Sequence, residues 1–333
     1  MYARQNIRIP LRSEAALAFS HDGSVLATED KYFSVELRAC DTGGLLATLR
    51  GHMDRVLTCA ISRCGMQVAT GSRDRGVRLW DPVTEQTIRV THTCQMPAKH
   101  VAFSSCGSRL LFISAHGDAH VWCLQTYNII QSMQVPGGGF DGCTFLSDGS
   151  AAFCGSMAVW VIGMDGAQRS IPIPRQARYC AVAEDGRVTV SNAWGGSMAI
   201  CVDAEPRLVV EAAALRHVTC STVSASGDLA VSCSHIGDHL SRTATIQMWA
   251  PRSGLLLGTA KLDCGYVVGR CMVAPACNMM AITGSITKDG ICMHSVLLWD
   301  IWSRQAVLLL LALQARRRSG VMLGPEVLRQ AFL

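Results

Sequence analysis

A short apolar stretch, usually a Ser or Ala, two variable residues and usually a glycine recur seven times along this chain of 333 residues. The copies are LAFSHDG (17–23), CAISRCG (59–65), VAFSSCG (101–107), CTFLSDG (143–149), CAVAEDG (180–186), STVSASG (221–227) and CMVAPAC (271–277). Their last residues lie 42, 42, 42, 37, 41 and 50 positions apart. A unit of about 40 to 45 residues is one four-stranded propeller blade. Such units pack only on their neighbours, so one repeat domain replaces the two domains that length alone suggests.

Tryptophan supplies a second register. Trp80 and Trp122 each stand 15 residues after Gly65 and Gly107, while Trp160, Trp249 and Trp299 follow their own landmarks by 11, 22 and 22. Arg38 and Cys201 hold that place in repeats one and five. Within a unit the apolar period is two. In the second repeat Val56, Cys59, Ile61, Val68, Val77, Leu79 and Ile88 fall in short runs broken by Gly, Asp and Arg, predicting strands over residues 56–61, 67–71, 76–80 and 87–90. No helical stripe separates the strands, which excludes an α/β sheet. The expected fold is all-β: a seven-bladed propeller of four-stranded antiparallel blades over residues 1–315, with a short tail at 316–333.

Gly51-His52 followed by ATGSRDRGVRLWD (69–81) resembles a complete repeat of the WD40 family, and LLWD (297–300), QMW (247–249), HVW (120–122) and AVW (158–160) are partial copies. That resemblance implies a WD40-like β-propeller with a buried hydrogen-bonded tetrad of His52, Thr70, Asp74 and Trp80. Such a network satisfies polar groups that link an inter-blade loop to its sheet. The same residue types invite a hydrolase triad, but no G-x-S-x-G turn is present, and the structural role is expected.

The 49% hydrophobic content supplies a large core, and part of it is cysteine, of which there are sixteen. No C-x-x-C occurs and MYARQNIRIPLRS lacks the apolar core of a signal peptide, which excludes a secreted disulfide scaffold. Cys59, Cys143, Cys180 and Cys271 share one position of the innermost strand with Leu17, Val101 and Ser221. Cysteine there acts as a small apolar residue, and reduced thiols place the protein in the cytoplasm or nucleus.

The most apolar run, AVLLLLAL (306–313), is too short to span a bilayer as a helix. It begins seven residues after Trp299, the offset at which Thr87 follows Trp80, and is expected to be the last strand of the last blade. Residues 6–10 compete for that edge from the N-terminal side. Beyond the run, Arg316, Arg317 and Arg318 read as a solvated charge run, and residues 325–333 as a short amphipathic helix.

Function on a propeller resides in its loops. Repeats six and seven reach their Trp seven residues late, through SHIGDHLSRTATI (234–246) and ITKDGICMHSV (286–296), expected as enlarged loops side by side on one rim. His239, Arg242 and Lys288 belong to them, and Trp194 in the NAWGG turn of repeat five adds to that edge or folds inward beside Cys201. His235, Asp238, His239 and His294 suggest zinc, but neither a helix to aim the imidazoles nor a thiolate pair accompanies them, and no metal is expected. Net charge is +5 and lysine is confined to Lys31, Lys99, Lys261 and Lys288, so the positive charge is mostly arginine. Arg55, Arg73 and Arg75 are expected on one face of blade two, with Asp54 and Asp74 among them. No phosphate-binding glycine loop, paired-carboxylate site or cofactor fingerprint is found, so neither a cofactor nor a small-molecule substrate is expected. These observations point to a non-enzymatic scaffold that binds other proteins of a multi-subunit complex through its rims. The alternative is a ribonucleoprotein component whose arginines contact RNA phosphate.

Overall fold

The computed structural model describes residues 7–11 and 17–300, apart from 31, 92–95, 174–176, 187, 193–196, 203–204, 212–216, 237–242, 252–254, 263–265, 277–278 and 289–290. Alternating apolar residues and tight turns produce an all-β propeller with four-stranded antiparallel blades, and among the described residues the strands fall into seven such sheets. Blade one runs Leu17–Phe19, Val25–Glu29, Val35–Ala39 and Leu45–Leu49; blade two runs Val56–Ile61, Val68–Ser72, Val77–Trp80 and Thr87–Thr91. Ala98–Phe103, Arg109–Ser114, Asp118–Cys123 and Asn128–Gln134 follow as blade three, then Gly142–Phe145, Ala151–Cys154, Ala158–Ile162 and Gln168–Pro172 as blade four. Blade five consists of Ala177–Val182, Val188–Asn192, Ser197–Val202 and Glu205–Glu211, and blade six of His217–Val223, Ala230–Ile236, Thr243–Ala250 and Leu255–Leu262. The predicted strands of blade two lie within a residue of those observed.

Each recurring landmark is the turn that returns the innermost strand of a blade to its second strand. Gly23, Gly65, Gly107, Gly149, Gly186 and Gly227 all have φ between 69° and 85°, a region where only glycine sits without strain. Each donates its N–H to the carbonyl three residues earlier, as Gly65 does to Ser62 at 2.9 Å. The landmark therefore records a backbone requirement. Apolar side chains meet between blades, as where Ala69, Val77 and Leu79 of blade two pack on Val101, Leu110 and Phe112 of blade three.

The last blade joins the two ends of the described chain. Tyr266–Val273, Met279–Lys288 and Ile291–Asp300 are completed by Ile7–Leu11, which pairs antiparallel with Ile291–Asp300 from Ile7 opposite Leu298 to Leu11 opposite His294. The N-terminal segment thus occupies the edge expected for residues 306–313. Ile9 is 2% exposed in one cluster with Leu17, Phe19 and Leu26 of blade one and Val296 and Leu298 of blade seven. Pro10 is tolerated there because an outermost strand leaves one row of N–H positions unpaired. Residues 301–333, including 306–313 and the arginine tail, lie outside the described residues.

Candidate functional site

The densest described polar network lies in blade two. Trp80 stands opposite Val68, and the hydroxyl of Thr70 meets its indole; both side chains are fully buried. Trp80 Nε1 donates to Thr70 Oγ1 at 2.8 Å, Thr70 Oγ1 lies 2.7 Å from His52 Nε2, and His52 Nδ1 lies 2.7 Å from Asp74 Oδ2. An indole only donates and an ionised carboxylate only accepts. A neutral His52 carrying its proton on Nδ1 therefore lets the bonds run from Trp80 through Thr70 to His52, and from His52 to Asp74. Asp74 also accepts the N–H groups of Met53 at 3.1 Å and Gly76 at 2.8 Å. Burial tends to raise its carboxyl, but these donors prevail and hold it below the usual carboxylate range. His52 lies in the linker from blade one, so the network fastens that linker to the sheet. Thr70 is sealed from solvent, an environment for cohesion and not for attack on a substrate.

The linker and the turn after the second strand meet on one rim. Arg73 N donates to Arg55 O at 2.8 Å, and Ser72 Oγ lies 2.9 Å from the carbonyls of both Asp54 and Arg55. Arg73 and Arg75 are exposed. Arg55 is partly engaged by Glu29, whose buried carboxylate lies 3.8 Å from its guanidinium and accepts Val56 N–H at 3.0 Å. The equivalent turn of blade one presents Tyr32 at 61% and Phe33 at 38% exposure, and the linker presents Met53 at 84%. Phe33 holds φ at 61°, a left-handed conformation costly for a bulky residue. Sequence reasoning passed over these three, although two aromatics in a turn between apolar strands are a readable signal.

The other expected contact residues fare differently. Trp194, His239 and Arg242 lie outside the described residues, as does Asp238. The insertion of repeat seven is not an enlarged loop. Its residues continue the ladder to Lys288 opposite Ile291, leaving only Asp289-Gly290 between the strands. The physical reason is legible afterwards: β-branched Ile286 and Thr287 favour a strand, and Asp-Gly is a strong two-residue hairpin signal. In repeat six the strands likewise extend to Ile236 and resume at Thr243.

Register also redraws the tryptophan column. Arg38 stands opposite Leu26 and Cys201 opposite Val188, as Trp80 does opposite Val68. Trp160, however, lies opposite Phe153, and Ile162 opposite Ala151 takes the column position in blade four. Among the described residues, Trp122 donates to Tyr127 O at 2.8 Å and Trp249 to Ser232 Oγ at 3.2 Å. Near the centre, His100 and Lys99 both donate to Phe140 O, tying blade three to the segment entering blade four. Burial pushes the His100 imidazole down to about 3.

Eleven described cysteines are in no disulfide. Cys59 and Cys180 are buried, Cys143 and Cys271 partly covered, and burial pushes the Cys59 thiol up to about 12. Cys64 and Cys106 are exceptions to the apolar role: both are exposed in landmark turns, where other repeats carry Asp22, Asp148 and Asp185. In blade one Ser20 Oγ donates to the Asp22 carboxylate at 2.6 Å, and at the same place in blade three Ser104 Oγ meets Cys106 Sγ at 3.3 Å. Ser104 and Ser108 lower that thiol to about 7.

Residues 43–81, centred on this network, match the family described as WD domain, G-beta repeat. The solved WD40 repeats of RRP9 superpose with a TM-score of 0.71 at 16% identity, covering 89% of this chain and 98% of that one. The chain is a WD40-repeat β-propeller. Among curated proteins, this WD40 propeller is 30% identical to eukaryotic translation initiation factor 3 subunit I of Candida glabrata over 95 residues, 28% of this chain and 27% of that protein. COMPASS component SWD3 of Saccharomyces cerevisiae is 26% identical over 201 residues, 59% of this chain and 56% of that protein. The match therefore spans less than two thirds of either relative's length. No helix of the described WD40 propeller is long and apolar enough to cross a membrane.

Proposed function

We propose that this protein is a non-enzymatic scaffold, a seven-bladed closed ring that holds a protein partner on the rim of blades one and two. The observation that carries the reading is the group of Tyr32, Phe33 and Met53, exposed on the same rim as Arg73 and Arg75, with the Met53 linker and the arginine turn anchored by the His52 network. Aromatic residues and arginine dominate interface hot spots, and a backbone fixed before binding loses less entropy on association. The relatives are named as a subunit and a component of larger assemblies, which supports a protein partner. Buried cysteines outside any disulfide among the described residues support a reducing compartment, the cytoplasm or the nucleus.

The test is quantitative affinity purification of the wild type and of a Tyr32→Ser, Met53→Asp double variant, both first shown to be folded by circular dichroism. Selective loss of specific partners is expected, and full retention of every partner refutes this rim. Arg73 and Arg75 also favour RNA phosphate as a ligand. Arg73→Gln with Arg75→Gln distinguishes it: RNA binding weakens steeply with salt and its salt slope falls in this variant, whereas an aromatic protein contact responds chiefly to Tyr32 and Met53.

A further inference from the structure

Blades six and seven meet at three sulfurs. Cys220 of His217–Val223 lies directly opposite Cys233 of Ala230–Ile236, so both side chains project from one face of the sheet. Cys271, on the innermost strand of blade seven, approaches that face. The three Sγ atoms lie within 4.8 Å of one another; Cys220 and Cys233 are buried, and Cys271, partly covered as a residue, has its sulfur among them. Blade two shows what the position ordinarily requires. There Thr58 and Gly71 are the corresponding pair, and a Cβ on Gly71 would come within 2.9 Å of Ala98 on the next blade. Blade six places a thiol where blade two has room for hydrogen only, and blade seven adds another thiol across the gap.

We propose that Cys220, Cys233 and Cys271 form a buried three-sulfur site for a soft monovalent metal ion of the Cu(I) class, clamped between blades six and seven. Three thiolates about an ion with bonds of about 2.3 Å stand roughly 4 Å apart in a trigonal arrangement, within the observed spread. Soft sulfur donors select soft ions. The surrounding cluster contains Val231, Ile246, Val268 and Ile282, together with the thioethers of Met248 and Met280. Structural zinc takes four nitrogen or sulfur ligands, and among the described residues no His, Asp, Glu or fourth Cys joins the trio, which favours a three-coordinate ion. Thiols bind such an ion as thiolates, so uptake releases protons.

The test titrates reduced protein with Cu(I) under anaerobic conditions against a chromophoric Cu(I) chelator, in a Cys64→Ser, Cys106→Ser, Cys123→Ser background that removes three accessible thiols. Uptake of one equivalent is expected, with an ultraviolet sulfur-to-copper band and a raised melting temperature, because the ion binds the folded state. Cys233→Val and Cys271→Val, each verified as folded, are expected to weaken uptake at least about 100-fold, the upper end of what outer-shell changes bring. X-ray absorption on the unmutated trio counts the ligands without depending on those variants, and three sulfur neighbours are expected. Uptake that survives both substitutions, a count below three, or no uptake in competition with glutathione would each overturn the proposal. Because the trio lies between blades six and seven, whereas Tyr32 and Met53 belong to blade one and its linker to blade two, the outcome is independent of the partner assay.

Discussion

Replacing Thr70 with valine isolates the His52 network from packing. The two side chains have nearly equal volume, so the exchange opens no cavity and leaves the β-branched shape in place. It removes the acceptor for Trp80 Nε1, at 2.8 Å, and the donor for His52 Nε2, at 2.7 Å. Trp80 and Thr70 are 0% exposed and His52 7%, so water cannot substitute for either partner. Each stranded group costs about 1–3 kcal/mol, and the hydroxyl's own burial returns about 1 kcal/mol, giving a net loss of roughly 1–5 kcal/mol. Thr70→Ser keeps both bonds and deletes one methyl, for about 1 kcal/mol. Urea unfolding followed by far-ultraviolet circular dichroism measures both variants. Amide exchange over Val68–Ser72 reports blade two itself, since a repeat ring need not unfold as one unit. The expected order is wild type, then serine, then valine. A valine variant as stable as wild type, or more stable than the serine variant, would show that Thr70 serves as apolar filling and that the network contributes nothing.

Three further outcomes are expected. Ile9→Ala should destabilise by about 2–4 kcal/mol, since Ile9 is buried where blade seven meets blade one; an unchanged urea midpoint would mean that the N-terminal strand does not close the ring. An unfolded chain protonates His100 near 6.5 whereas the folded protein resists until about 3, so the unfolded state binds the extra proton and stability falls as pH drops through that window, by up to about 2 kcal/mol near pH 5. His100→Gln keeps a donor toward Phe140 O and should flatten that acid limb, which unfolding midpoints at neutral and acid pH will show. Cys106, lowered to about 7 by Ser104 and Ser108, should react with iodoacetamide along a pH profile centred there; mass spectrometry of labelled peptides should find Cys59, pushed up to about 12 by burial, unlabelled in the folded protein.

Local chemistry was legible in the sequence, and long-range placement was not. The glycine landmarks predicted the blades because Gly65 and its counterparts meet a backbone requirement that no other residue meets without strain. Arg38 and Cys201 could be placed by counting, because strands keep a period of two. Counting failed at Trp160, where a shorter turn and hairpin shift the register and Ile162 takes the column. It failed also at residues 286–296, where Asp289-Gly290 signalled a longer hairpin. The two-residue turn chemistry was present in the sequence and was outweighed by the expectation of a loop. Which segment completes blade seven depended on the competition for one strand edge, decided by whether Ile9 reaches the cluster between blades seven and one. The rim of Tyr32, Phe33, Met53, Arg73 and Arg75 required knowing which turns share an end of the ring. The meeting of Cys220, Cys233 and Cys271 is tertiary altogether: two are joined by strand register and the third arrives from the next blade. Residue spacing determines which side of a strand a thiol takes, and only the packing of one blade on another determines what it meets.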